Sequence, residues 1–228
     1  FLVFVGIIGF SIARAIATFF TNYLWFDSVD LNSVWIKILL TKSILVAATS
    51  LLAFAFIFIN LRLAVRATPV MDIFESFESQ DPLTRFREFF NERFLKYRLW
   101  GAIGLSLFLG AGASQLWEQV LLFINQKSFG VADPVFQYDV SSYVFGLPLY
   151  RLFVSWGFQL VIFTSFIIIL FFIATGALQL RQGRLPEVSS GAKAHLSVLL
   201  AFVAVLKAFA YRLDCLLYTS PSPRDDEL

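Results

Sequence analysis

An all-α polytopic membrane bundle, a helix bundle with about five spans, is the fold class this sequence predicts. Three observations carry that reading. Five apolar runs recur along the 228 residues at lengths that suit bilayer-crossing helices. Only 15% of the residues are charged against 58% hydrophobic, and mean hydropathy is +0.76; a soluble domain carries roughly a quarter charged residues. Lys and Arg gather in alternate connections instead of spreading evenly.

A bilayer core is about 30 Å thick and takes about 20 apolar residues in helix. The spans read at about residues 1–20, interrupted by Arg14; 43–60, preceded by an amphipathic entry over 34–42; 99–117, rich in Gly; 152–178, long enough to cross with tilt; and 194–211. Inside lipid the backbone must satisfy its own hydrogen bonds, so runs of this length point to helices and not to barrel strands. Together they make residues 1–214 a transmembrane domain. The chain opens inside an apolar run and without Met, as Phe1-Leu2-Val3-Phe4, which reads as a fragment whose true start is missing. Near the other end, LLYTSPSPRD resembles translated sequencing-adapter DNA. Residues 215–228, with the single Cys215, therefore read as non-native and are set aside.

The connections at 61–98 and 179–193 hold Arg62, Arg66, Arg85, Arg87, Arg93, Lys96, Arg98, Arg181, Arg184 and Lys193. The other two hold Lys37, Lys42, Lys127 and Arg151. An excess of basic residues marks cytoplasmic loops. The expected arrangement is a multi-pass protein of the bacterial plasma membrane with a cytoplasmic N-terminus, and with 118–151 as an extracytoplasmic loop. Within 61–98, Asp81-Pro82 is a helix start. Phe86, Phe89, Phe90, Phe94 and Tyr97 follow at helical spacing among Arg85, Arg87, Arg93, Lys96 and Arg98. That pattern suits a helix on the inner leaflet with basic groups toward anionic lipid; packing on other parts of the protein is the open alternative.

The net charge of +2 argues for no nucleic-acid partner. One Cys and one His allow neither an internal disulfide nor a His/Cys metal cluster. No cofactor motif is present, and no Gly-rich phosphate loop, His-Glu-x-x-His helix or nucleophile elbow. The fragment thus leans away from an enzyme. His195 stands alone at the mouth of the fifth span as a capping or interfacial group. Arg14 is the intramembrane charge: an Arg near the bilayer centre costs roughly 2.5–3.5 kcal/mol on insertion scales, so it needs a partner, a water cavity or a snorkelling route. Gln159 reads as an interhelical hydrogen bond, and Lys207 as able to snorkel past Tyr211. Ala102, Ser106, Gly110 and Ser114 fall every four residues in the third span, a small-residue face for close helix packing.

The loop FGVADPVFQYDVSSYVFGLP, residues 129–148, is read as a folded cap. Asp133-Pro134 marks a turn or helix start, Asp139 is a second carboxylate, and Tyr138 to Phe145, with Tyr143 among them, offers aromatic surface for the headgroup layer. Pro148 resets the chain into the fourth span. Asp133, Asp139 and Glu118 could supply oxygens to a hard cation, although loop carboxylates more often cap turns.

NYLWFDSVDLNSVW, NLRLAVRATP, FGVADPVFQYDVSSYVFGLPLYR and AYRLD resemble the corresponding stretches of bacterial uncharacterised protein family 0182, and the resemblance covers essentially residues 1–214. It implies about seven spans followed by a large extracytoplasmic region, of which this chain would be the membrane-embedded beginning. That family has no assigned activity, so no catalytic residue is carried over. The expected function is to anchor and orient the missing region through interaction, with the lipid bilayer and that region as partners. The alternative is a transporter or channel component, with Arg14 and the Gly-rich third span lining a path.

Overall fold

The computed structural model describes residues 2–68, 82–179 and 187–216, with residues 2–4, 8, 82–96, 179 and 187 described by backbone alone. The fold is all-α. Six helices follow in order: α1 (Leu2–Ser28), α2 (Asn32–Ala67), α3 (Pro82–Ala111), α4 (Trp117–Ile124), α5 (Leu147–Ala174) and α6 (Ser190–Cys215). Five helical stretches are long and apolar enough to cross a membrane. Their outward faces carry large apolar side chains. Leu51 and Leu200, for example, are each 68% exposed, and a contiguous surface of this kind is tolerated in lipid rather than in water.

α2 is the hub and touches every other helix. Its buried residues Thr49, Ala53, Ile57, Asn60 and Ala64 repeat at three- and four-residue steps and form one inward stripe. Ile57 and Leu61 meet Ile168 and Phe172 of α5 and Leu199 of α6 in the core. With 36 residues, α2 is about 54 Å long at 1.5 Å per residue, so it projects beyond a bilayer core of about 30 Å. Among the described residues α1 packs chiefly against α2. The two meet near the connecting turn, where Trp35 takes Phe19 and Tyr23 edge-on at 5.1 and 5.4 Å between ring centroids.

The helix expected on the inner leaflet runs on into the third span as one 30-residue helix, α3. Asp81 lies outside the described residues, as do the side chains of Arg85, Arg87, Arg93 and Lys96; Arg98 is half-buried. At its other end α3 stops at Ala111 and tightens into a 3₁₀ turn, Gly112–Leu116, before α4 begins. Trp117–Ile124 thus continues helically out of the third span by way of that 3₁₀ turn. Trp156 Nε1–H donates to Leu109 O there at 3.2 Å, and the Thr49 hydroxyl, which donates to Leu45 O of its own helix at 2.6 Å, lies 3.4 Å from Gly110 O. A helix end in an apolar medium needs such donors.

Ala102, Ser106 and Gly110 are buried in the bundle, while Ser114 lies in the 3₁₀ turn and bonds back to Ala111 O at 2.8 Å. A Cβ at Gly110 would fall 1.9 Å from Ser50 Oγ and 2.9 Å from Ser50 Cα, so the α2 and α3 backbones meet there. Gly191 plays the same part between α6 and the end of α2, where a Cβ would lie 2.3 Å from Ala67 O.

Between α5 and α6 the chain forms an unexpected two-residue antiparallel pair, β1 (Leu178–Gln179) and β2 (Glu187–Val188), in the register Leu178↔Val188. Ser189 then caps α6, its Oγ accepting from Ala192 N–H at 3.3 Å. Gln159, expected between helices, is exposed and makes no hydrogen bond among the described residues.

Gly110→Ala should lower the thermal midpoint of the detergent-solubilised chain by the equivalent of about 1–3 kcal/mol, as overpacking does. Gly104→Ala, where a Cβ meets nothing within 4 Å, should leave it unchanged. Equal midpoints for both variants would dismiss the close approach as the cause.

Candidate functional site: the folded cap and the crevice beneath it

Asn125 to Ser141 form a small structure of their own, built by two carboxylates. Asp133 N–H donates to Tyr138 O at 2.8 Å and Val140 N–H to Val131 O at 3.0 Å, which pairs Ala132 with Asp139 as an antiparallel bridge. Asp133 closes the turn with its side chain, accepting Phe136 N–H at 2.7 Å and the Tyr143 hydroxyl at 3.1 Å. The turn needs Gln137 in the left-handed region, at φ +60°, a conformation that persists only where surrounding bonds fix it. Its amide is held to Pro134 O at 3.0 Å.

Asp139 gathers the other strand. Its carboxylate accepts the Ser128 hydroxyl at 2.5 Å and the backbone N–H groups of Phe129, Gly130 and Ser141 at 3.2, 3.1 and 2.8 Å. Donors favour the ionised form, so the Ser128 hydroxyl first, and Ser141 after it, hold this carboxyl well below the usual carboxylate range. Both aspartates are thus occupied in shaping the loop. Among the described residues no cluster of His, Cys, Asp or Glu could hold a metal ion, and Glu118 is exposed on α4.

Phe145 stacks obliquely on Phe129 at 5.9 Å and ties the cap to the helix that follows. That helix starts earlier than Pro148. A π-helical turn, Ser142–Gly146, precedes α5 without interruption, and Leu147 N–H bonds to Ser142 O. Pro148 is therefore no reset point. It sits just inside α5, where the wider turn gives way to regular pairing and its missing N–H is tolerated.

Beneath the cap lies a crevice of about 330 Å³ between α4, the π-helical turn, the start of α5 and the last turn of α6. Phe123, Tyr138, Tyr143 and Tyr150 line it, with Phe123 and Tyr150 edge-on at 5.8 Å. Beside it Arg151 of α5 and Asp214 of α6 form an ion pair. The N-terminal part of α2 closes the same end from the other side, with Lys42 Nζ 5.3 Å from the Trp117 ring centroid.

Arg14 is elsewhere. It lies on the exposed face of α1, and the shallow dent around it is formed by α1's own Phe10, Ser11, Ala15 and Thr18. The Arg14 carbonyl accepts the Thr18 hydroxyl at 2.9 Å, and the guanidinium makes no ion pair or hydrogen bond among the described residues. His195, read as standing alone, is instead buried and paired: its ring nitrogen Nε2 is 3.0 Å from Asn60 Oδ1 across the α2–α6 seam. Asn60 Nδ2 in turn donates to Phe56 O at 2.8 Å. The signal for this pair was available, since each is a solitary polar residue at the same end of an apolar run. Lys207 places Nζ 4.7 Å from the Tyr211 ring centroid.

A carboxylate whose folded pKa is depressed contributes stability above its ordinary value, and that contribution fades as pH falls toward the folded value. Limited proteolysis at 125–141 should therefore stay slow from neutral pH to about pH 4 and accelerate below it. Asp139→Asn should be cleaved faster at neutral pH and lose that acid response. Replacing Tyr143 and Phe145 together with Ser should also speed cleavage, because the Asp133 and Phe129 contacts go with them; an unchanged rate would show that neither contact holds the cap.

The profile of the Uncharacterised protein family (UPF0182) matches residues 1–223, into the stretch that read as foreign. A UPF0182 protein of Rhodococcus jostii strain RHA1 is 34% identical over 197 residues, covering 86% of this chain and 20% of the relative. One from Mycobacterium tuberculosis strain H37Rv is 36% identical over 197 residues with the same coverage, and one from Nocardia farcinica is 33% identical over 195 residues, covering 86% and 19%. The chain thus spans about a fifth of the length of the curated relatives it matches. No solved structure matches. With the profile running across nearly all of its helices, the chain belongs to the bacterial uncharacterised protein family UPF0182.

Proposed function

We propose that this chain is the membrane-embedded part of a larger envelope protein, and that it anchors and orients a region lying outside the cytosol. The observation that carries this reading is the bonding of the cap end. There the two carboxylates, the Phe129–Phe145 contact, the Arg151–Asp214 pair and the Lys42–Trp117 contact fix four helices relative to one another. Fixed geometry at one end is what an anchor needs in order to orient what it carries. The excess of Lys and Arg in alternate connections supports a cap end outside the plasma membrane and a cytoplasmic N-terminus. The length of the relatives supplies a region to be carried.

A transport path through the third span is less well supported. Gly101, Gly104 and Gly112 have nothing within 4 Å of where a Cβ would stand, and Gly110 is closed against Ser50. The dent at Arg14 belongs to one helix and is open to the surroundings. A lumen would need several helices facing a shared polar space.

The test is a reporter that is active only outside the cytosol. Fused after Asp214 it should be active and should stay with the membrane through an alkaline wash; fused after Arg184 it should be inactive. Activity at Arg184 would overturn the sidedness, and release by the wash would overturn the anchoring role.

A further inference from the structure

The geometry points to the crevice beneath the cap as a binding site for a phospholipid of net negative charge, its phosphate on Arg212. This rests on the reading that the five helices cross a bilayer, and it holds whichever leaflet the cap faces. The volume, about 330 Å³, is at the lower end of the roughly 300–1,000 Å³ of small-molecule sites, enough for a head group and the glycerol beneath it.

The chemistry of the walls selects the ligand. Arg212 is the one charged side chain lining the crevice among the described residues. The nearby Arg151 is already neutralised by Asp214, whereas Arg212 has no ion pair among the described residues. A guanidinium offers a planar set of donors that matches two phosphate oxygens. Around it Gln126, Ser142, Tyr138 and Tyr150 supply amide and hydroxyl groups, and the two tyrosine hydroxyls are engaged by no protein group among the described residues. Those groups suit the ester oxygens and hydroxyls of a glycerol head group. Leu147, Leu213 and Phe123 form the apolar side, against which the first carbons of an acyl chain can rest. A free anion would leave that apolar side uncovered, so the lipid is the better occupant. Tyrosine at the ends of spanning helices sits at the level where head groups lie.

Native mass spectrometry of the whole chain, exchanged from detergent into mixtures of phosphatidylglycerol and phosphatidylcholine, reads this directly. Phosphatidylglycerol should be retained about tenfold over phosphatidylcholine, whose own choline ammonium partly neutralises the phosphate and repels Arg212. Arg212→Gln should abolish the preference, and Tyr150→Phe should reduce it about threefold. Arg62→Gln, which removes a cation stacked on Phe58 of α2, should keep it. Equal retention of the two lipids by the native chain overturns the proposal, as does a preference that survives Arg212→Gln. Inorganic phosphate held with the same Arg212 dependence, while the lipid is not retained, overturns the lipid assignment. A chain that stays dispersed without detergent would instead contradict the membrane reading itself. Should Arg212→Gln unfold, judged by its thermal midpoint, Tyr150→Phe decides, and an unreduced preference there counts against the site.

Discussion

A backbone carbonyl left without a donor in an apolar medium costs several times what a typical hydrogen bond contributes in water, and α3 ends its regular pairing at Ala111 while still among its neighbours. The carbonyl of Leu109 takes a proton from Trp156 of α5, while Thr49 of α2, bonded to Leu45 O of its own helix, lies against the Gly110 carbonyl. That arrangement requires α2 to lie against α3 with no side chain between them, which only glycine at 110 allows. The 3₁₀ turn Gly112–Leu116 and the start of α4 follow directly on this junction in the chain.

The two ends of the bundle are built from different materials. At the cap end, polar groups face one another across loops and helix ends, through carboxylate-to-backbone bonds, an ion pair and a cation over an indole ring. At the opposite end, close contacts are made by small residues and a hydrogen-bonded pair: Gly191 against Ala67 and His195 against Asn60. Between the ends the interior is aliphatic and aromatic, with Ile57, Ile168 and Phe172 fully enclosed. Apolar contact of that kind is weakly directional. Relative helix rotation is therefore set chiefly by the few polar contacts at either end.

The number of spanning helices was legible in the sequence because hydropathy over some twenty residues averages out local detail. The cap was legible in outline, since Asp133-Pro134 and Gly130 punctuate an otherwise aromatic stretch. Its internal bonding was not. Which carboxylate closes the turn and which gathers the strand depends on a register that a single sequence does not encode locally. The 3₁₀ tightening after Ala111 was not legible because Gly112, Ala113 and Ser114 continue a helical pattern, and the donor beside it comes from residue 156. Pro148 misled in the opposite direction. It looks like a boundary, yet the widened turn before it lets the helix run through.

The Asn60–His195 pair joins positions 135 residues apart, which bears on how the chain comes to be assembled. A ribosome delivers α2 long before α6 exists, so until α6 emerges the amide of Asn60 has the Phe56 carbonyl for one end and no His195 for the other. The arrival of α6 completes the pair. A helix made much later thus closes onto a hub already in place.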